Sequence, residues 1–464
     1  MSPEASAKQL KKTASQAGAE YNGITDGVIW QQLLLFFFPI LFGTFFQQLY
    51  NTADAVIVGH FVGKEALAAV GGTTGTLINL LVGFFVGLSS GATVIISQFY
   101  GAKQDSRVSH AVHTAIAFAI AGGFVLMLIG FFGAPLALRA MGTPDDIMEY
   151  ALVYIRIYFL GTIANLIYNM GAGILRAVGD SKRPLYFLMA SCLTNIVLDI
   201  VLVVGFHMNV MGAAIATISS QAVSAILVIV VLTRTSDSYK LIFRKLKLHY
   251  VLVARIVRIG LPAGLQSVMY SLSNIIIQSS INSLGTDTIA AWTAYGKIDT
   301  IYWMIINAFG ISITTFAGQN FGAGKYDRVR KGIRVCLGIS MGATIALSLF
   351  LYFFGFYIFR LFTSDPAVLE IGLQMIHFLV PMFFTYICIE ILSGGLRGVG
   401  DCWIPMIMTG LGVCVLRVLW VIFAVPYNRT CGCCGCSPSC PPTTPCWLWR
   451  PATPSPGPSP PSCS

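Results

Sequence analysis

The segment from Gly173 to Pro184, GILRAVGDSKRP, returns from Gly394 to Pro405 as GGLRGVGDCWIP. Gly173, Leu175, Arg176, Val178, Gly179, Asp180 and Pro184 recur as Gly394, Leu396, Arg397, Val399, Gly400, Asp401 and Pro405. From Asp180 to Asp401 is 221 residues, nearly half of a 464-residue chain. The same register matches Gln98, Gly101 and Ala102 with Gln319, Gly322 and Ala323, and Arg139 with Arg360. An echo held at one offset over that distance is a duplication of a whole unit. Each copy carries charges that must lie outside hydrocarbon, and each sits between long apolar runs. The halves are therefore expected to be related by an axis along the membrane normal. Parallel halves around a central cleft point to a transporter.

Composition narrows the class. The chain is 56% hydrophobic and only 10% charged, against about 25% charged residues in soluble domains. It reads as an all-α polytopic membrane protein. Apolar stretches of spanning length, about 20 residues each, run over 28–58, 66–98, 110–138, 147–174, 184–206 and 210–233. The second half repeats them at 256–283, 288–317, 332–359, 367–394 and 403–425, six helices and then five. The expected organisation is a cytoplasmic segment 1–27, a first lobe 28–233, a linker 234–255, a second lobe 256–427 and an atypical tail 428–464. The polar start and the long first apolar run, which lacks a small-residue cleavage site, do not fit a cleavable signal peptide.

Lysine and arginine set the orientation. With the N-terminus inside, the cytoplasmic face holds Lys8, Lys11, Lys12, Lys103, Arg107, Arg176, Lys182, Arg183, the basic 234–258 segment, the Lys325 to Arg334 cluster and Arg397. The opposite face holds only Lys64, Arg139, Arg360 and Arg429. The positive-inside rule thus places the N-terminus in the cytoplasm of a cell-membrane protein. The net charge of +10 reads as topology and attraction to anionic lipid, with no basic soluble face to bind nucleic acid. Two readings fit Lys240 to Arg258: an amphipathic helix on the inner surface or a solvated linker.

The repeat predicts a sixth helix of the second half over 430–455, where the first half reads NVMGAAIATISSQAVSAILVIVVLTR. The chain instead reads TCGCCGCSPSCPPTTPCWLWRPATPS. Seven of the 12 cysteines and ten of the 20 prolines fall in the last 34 residues, and proline at that density cannot sustain helical hydrogen bonds. The Cys431 to Cys436 run is of a kind that binds soft metals. A reading-frame shift or sequence error near Asn428 explains the abrupt change more simply. The five remaining cysteines are scattered singly and imply no disulfide framework.

Enzyme signatures are missing. There is no phosphate-binding G-x-x-x-x-G-K-[ST] loop, no H-E-x-x-H metal helix and no G-x-S-x-G turn. Gly171-Ala172-Gly173 and Gly322-Ala323-Gly324 lack the third glycine of a dinucleotide fingerprint. No cofactor is expected, and transport has to run on an ion gradient of protons or sodium.

Acids inside helices locate the coupling site, because an Asp at the bilayer centre costs about 2.5–3.5 kcal/mol on insertion scales. The first half keeps Asp54 in its first helix and Asp199 in its fifth. Asn195 lies one turn before Asp199 on the same face, and the sixth helix brings Thr217. Two carboxylates, an amide and a hydroxyl make an oxygen-rich site for a proton or a hard cation such as sodium. The second half has Ile276, Leu416 and Trp420 near the matching positions, so one coupling site is expected. The competing reading is that these groups only join helices by buried hydrogen bonds.

Other polar groups bear less weight. Gln47, Asn51 and Asp54 share a face of the first helix and either line a cavity or bond between helices. Tyr50, Tyr270, Asn274, Trp292 and Met304 fit an adaptable wall for flat cations, or plain core and lipid-facing positions. Lys297, Asp299 and Glu390, with Arg156, His377 and Arg417, form either a second polar network or snorkelling residues near helix ends. Gly83, Gly87 and Gly91 make a small-residue stripe for close helix contact.

Between about residues 28 and 425 the chain resembles the multidrug and toxin extrusion (MATE) antiporters, prokaryotic branch, of the multidrug, oligosaccharidyl-lipid and polysaccharide exporter superfamily. The resemblance is carried by QQLYNTADAVIVG with Gly63 and EALAAVG, by ISQFYGAK and AGQNFGAGKYDRV, and by the paired GILRAVGD and GGLRGVGD. It implies twelve helices in two six-helix lobes, with export of cationic or amphipathic compounds in exchange for protons or sodium. It also implies that Asp54, Asn195, Asp199 and Thr217 are the cation-site residues of the first lobe. A monomer is expected. Two alternatives stay open: a lipid-linked oligosaccharide flippase of the same superfamily, and a non-functional product of a frameshifted gene.

Overall fold

The computed structural model describes residues 24–282, 285–361, 363 and 365–424. The tail 428–464, its cysteine run and the twelfth-helix position lie outside these residues. The first half forms α1 (Ile29–Phe61), α2 (Lys64–Gly71), α3 (Thr73–Gly101), α4 (Asp105–Ala140), α5 (Asp145–Leu160), α6 (Thr162–Ala177), α7 (Lys182–Asp199) and α8 (Asn209–Arg234). The second half forms α9 (Tyr250–Asn282), α10 (Thr286–Gly322), α11 (Tyr326–Arg360), α12 (Pro366–Leu379), α13 (Phe383–Val399), α14 (Trp403–Thr409) and α15 (Leu416–Leu419). Ten helices among the described residues are long and apolar enough to cross a membrane, or eleven when α5 and α6, bent by 49°, count as one span. They coincide with the eleven apolar stretches of the sequence.

The duplicated motif is a turn. Gly179 and Gly400 take the left-handed conformation, with φ of 100° and 98°, which costs glycine no Cβ clash. Asp180 N–H then bonds Leu175 C=O at 2.9 Å and Asp401 N–H bonds Leu396 C=O at 3.0 Å, closing α6 and α13 with the same Schellman-type pattern. The aspartate that follows starts the next helix. Asp180 Oδ1 accepts from Lys182 and Arg183 N–H at 3.1 Å, and Asp401 Oδ1 accepts from Trp403 and Ile404 N–H at 3.2 and 3.3 Å. The motif thus fixes where one span stops and the next begins in each half.

The first helix of each half reaches across to the other lobe. Leu33, Phe36, Phe37 and Ile40 of α1 belong to the apolar core built on α10 to α13, where Phe37 stacks on Phe309 with ring centroids 4.0 Å apart. In return α9 packs along α3, and Ile256 enters the first lobe's core. The glycine stripe makes that second contact possible. A Cβ on Gly91 would fall 2.3 Å from Ile256 O, and one on Gly87 would fall 2.7 Å from Gly264 Cα.

The ends of α3 and α10 cross between the lobes. A Cβ on Gly101 would meet Gln319 O at 2.0 Å, and one on Gly322 would meet Gln98 O at 1.9 Å. Gln98 Nε2 donates to Gly398 O at 2.9 Å, and Gln319 Nε2 donates to Ala177 O at 2.7 Å. Gly398 and Ala177 are themselves repeat partners, so the two bonds are mirror copies of one latch. The joined end is the one that carries Lys103 and Lys325.

The linker is a strap rather than an amphipathic helix. Only Phe243–Lys245 forms a single 3₁₀ turn, and helix resumes at Tyr250. Tyr239 and Leu241 are buried in the first lobe's core. Buried His113 of α4 accepts Ile242 N–H at Nε2 over 3.0 Å, and Thr114 Oγ1 donates to Lys247 O at 3.3 Å. Charged residues alternate with apolar ones too irregularly for a helical face, and the two apolar anchors pull the chain onto α4.

Candidate cation and substrate site

The first-lobe candidates come together where α1, α7 and α8 pack on one another. Asn195 and Asp199 are wholly buried, and Asp54 and Thr217 are 7% and 5% exposed, so none is a lipid-facing or snorkelling residue. Asp199 ends the regular part of α7. The β-branched run after it, Ile200–Gly205, winds as a π-helix, a local change of pitch common at functional sites. It puts the carboxylate at the break rather than inside an unbroken helix.

The carboxylates of Asp54 and Asp199 lie within electrostatic reach of each other. Asp54 Oδ1, both Asp199 oxygens and both polar atoms of Asn195 are buried without a hydrogen-bond partner. Thr217 Oγ1 donates to Ala213 O at 3.0 Å, so its oxygen faces the cluster as an acceptor. Buried charge is tolerated when it is paired or binds a cation. Four oxygen donors of this hardness suit a proton or sodium ion. No three His, Cys, Asp or Glu side chains converge among the described residues.

Three neighbours complete this cluster. Tyr154 of α5 meets the Thr217 hydroxyl and lies within reach of the Asp54 charge. Tyr158, stacked 6.3 Å from Tyr154, reaches Gln221, whose Oε1 is buried without a partner. The signal for them was spacing. Tyr154 and Tyr158 share one face of α5, and Gln221 stands one turn beyond Thr217 on α8. Of the remaining first-lobe candidates, Tyr50 faces Asp54 and takes a contact from Gln47, while Asn51 is exposed.

In the second lobe the structure merges the candidate substrate wall with the candidate polar network. Tyr270 and Tyr386 share a hydroxyl hydrogen bond of 2.7 Å. The Trp303 ring lies edge-on to both, 6.2 and 4.9 Å away, and its Nε1 donates to Asp299 Oδ2 at 2.9 Å. Arg417 donates to Asn274 Oδ1 at 3.3 Å and lies within charge range of Asp299. Glu390 is ion-paired with Arg397. Lys297 does not join this group. It is exposed and, two residues before Asp299, points to the other side of α10. Trp292 packs on Tyr295 at 5.7 Å, and Met304 is half-buried next to Trp303. Outside the network, Arg156 lies over the Phe131 ring and His377 packs on Tyr352.

Comparison with known proteins agrees with the duplicated plan. The MatE family profile matches twice, over residues 39–201 and 262–422. A probable multidrug resistance protein of Bacillus subtilis, YoeA, is 29% identical over 388 residues, which cover 82% of this chain and 84% of the relative. The probable multidrug resistance protein NorM of Thermotoga maritima is 24% identical over 405 residues, covering 86% of each. An outward-facing multidrug resistance MATE family transporter superposes with a TM-score of 0.81 at 22% identity, over 87% of this chain and 90% of the other. A transporter of the same superfamily from Pyrococcus furiosus gives 0.80 at 22% identity, over 86% and 90%. A duplicated all-helical plan, matched in both halves over most of the chain, makes this protein a member of the MatE family of membrane transporters.

Proposed function

We propose that the chain exports cationic or amphipathic organic compounds across the cell membrane in exchange for protons or sodium. Asp54, Asn195, Asp199 and Thr217 form the coupling site. The observation that carries this reading is the set of buried carboxylate and amide atoms without partners in the first lobe. The names of the relatives, probable multidrug resistance proteins, support the class of substrate. The flippase alternative needs free cations in the cavity for a pyrophosphate. Here the half-buried Arg397 is engaged by Glu390, and Arg417 by Asn274.

The mechanism is alternating access. With the N-terminus inside, the Gln98 and Gln319 latch joins the lobes on the cytoplasmic side, which leaves the outer side as the route of release. A proton or sodium ion arriving between Asp54 and Asp199 removes negative charge among α1, α7 and α8. The packing that was set by two unpaired carboxylates then changes, and drug is released outside. The ion shifts the equilibrium only by its difference in affinity for the two arrangements, and the buried carboxylates supply that difference. The aromatic group of Tyr270, Trp303 and Tyr386, backed by Asp299, offers flat cations a face.

Efflux of ethidium from proteoliposomes under separately imposed proton and sodium gradients tests this. Export driven by one gradient and abolished in Asp199→Asn, with insertion unchanged, is the expected result. Normal gradient-driven export by that variant would sink the proposal.

A further inference from the structure

The basic linker borders a cavity outside the candidate cation site. A crevice of about 500 Å³ opens beside it, lined almost wholly by apolar atoms. Its floor is one face of α4: Phe118, Ala121, Gly122 and Val125, spaced i, i+3, i+4 and i+7. The two small residues at the centre make the hollow, and Phe85 of α3 and Val253 of α9 form its walls. Along α4 it runs for about 10 Å at 1.5 Å per residue. It lies where α9, the first helix of the second half, packs onto α3 and α4 of the first.

The mouth is charged. Leu248 and Tyr250 stand at the rim, with Tyr250 85% exposed, and Arg244, Lys245 and Lys247 precede them, all exposed. None of the three has an ion-pair partner among the described residues. The bonds from Ile242 N–H to His113 and from Thr114 to Lys247 O tie the backbone that carries them to α4, one turn before Phe118 on the crevice floor.

We propose that this is a binding site for an anionic phospholipid, with one acyl chain in the crevice and the phosphate on Arg244, Lys245 and Lys247. A hollow with so few polar atoms leaves a peptide backbone unsatisfied and suits an acyl chain, and the three exposed cations that precede its rim favour an anionic over a zwitterionic headgroup.

The test places the full chain in nanodiscs and uses Tyr250→Trp as the reporter, with the parent chain as background. The indole is quenched by brominated phosphatidylglycerol at roughly tenfold lower mole fraction than by brominated phosphatidylcholine. The preference disappears when Arg244, Lys245 and Lys247 are all changed to Gln, and quenching by both lipids falls in Ala121→Phe, which fills the hollow from an exposed position. Equal quenching by the two lipids, or a preference that survives the loss of the three charges, overturns the proposal. Native mass spectrometry of the protein without the reporter gives the same decision independently: phosphatidylglycerol is retained by the parent and lost from the triple Gln variant. Equal retention by both overturns the proposal.

Discussion

In the first lobe Asp54 and Asp199 keep three carboxylate oxygens buried without a partner, whereas in the second lobe Glu390 is paired with Arg397 and Asp299 accepts the Trp303 indole. The repeat makes this contrast sharper. Glu390 has Asn169 as its counterpart, and Asn169 turns back to bond Asn165 O and Oδ1 at 2.9 and 2.8 Å. Duplication therefore kept the helix stops, the turns and the latch in both halves, but not the charges. An unpaired buried ion costs several kcal/mol, a penalty that a lobe serving only as scaffold removes by supplying a counterion. The second lobe has done so and the first has not, which separates a lobe that holds its own charge in balance from one that leaves its acids without a partner.

The largest effect should come from breaking the balanced lobe. Arg397→Met strands Glu390 and is expected to cost about 3–5 kcal/mol, read as a lowered unfolding midpoint in detergent. Adding Glu390→Met should restore most of it. An unshifted midpoint in the single variant would mean that the pair contributes nothing and the contrast is false. The same operation on the first lobe should have the opposite sign. Asp199→Asn and Asp54→Asn remove charges that have no partner, so stability holds or rises. Gradient-driven efflux falls by about a hundredfold, equivalent to about 2.7 kcal/mol. A loss of stability in these variants, matching that of Arg397→Met, would show that the first-lobe acids are structural.

The fold was legible because its determinants are one-dimensional. Apolar runs of spanning length and the Gly179/Gly400 register survive without knowledge of contacts, and the eleven spans follow from them. The buried polar cluster of the first lobe was legible for a related reason: Asp54, Asn195, Asp199 and Thr217 stand out as polar groups in apolar helices. Tyr154, Tyr158 and Gln221 were not, since amphipathic side chains in such helices are usual at many depths. The partners of Asp299 and Glu390 were hidden more deeply. Lys297 is two residues from Asp299 in sequence but on another side of α10, while Arg417 approaches Asp299 from α15, and Arg397 reaches Glu390 from two turns further along the same helix, α13. The strap at 235–249 escaped because its anchors, His113 and Thr114, lie in α4 more than a hundred residues away.

A smaller effect should appear where the lobes are alike. Gln98 and Gln319 each donate to the last turn of a helix in the other lobe, and a hydrogen bond of this kind contributes about 0.5–1.5 kcal/mol net. Gln98→Leu and Gln319→Leu should each weaken the joined end by that amount, with equal size if the latch is symmetric in energy as it is in geometry. Spin labels on the exposed Arg107 and Arg330 positions would report a longer distance component, greater in the double variant than in either single one. A response to only one of the two substitutions would show that the lobes differ here as well.

The smallest effect concerns an acid that water already screens. Asp26, just before α1, is paired with Lys325 at 2.8 Å, its side chain 60% exposed. The hydrogen bond and the charge of Lys325 hold its carboxyl below the usual carboxylate range. With a folded-state value lower than the unfolded one, the pair contributes stability above the unfolded pKa of about 3.9 and loses it as pH falls through the folded value. Exposure keeps the contribution under about 1 kcal/mol. The parent should therefore exceed Asp26→Asn slightly in unfolding midpoint between about pH 5 and 7, with the difference vanishing in stronger acid or at about 1 M salt. If the difference instead persisted in acid and in salt, the carboxylate charge would not be its source. The Thr25 carbonyl, which also accepts from Lys325, and the Asp26 carbonyl, which accepts from Arg328, would then account for the tether between the start of α1 and the second lobe.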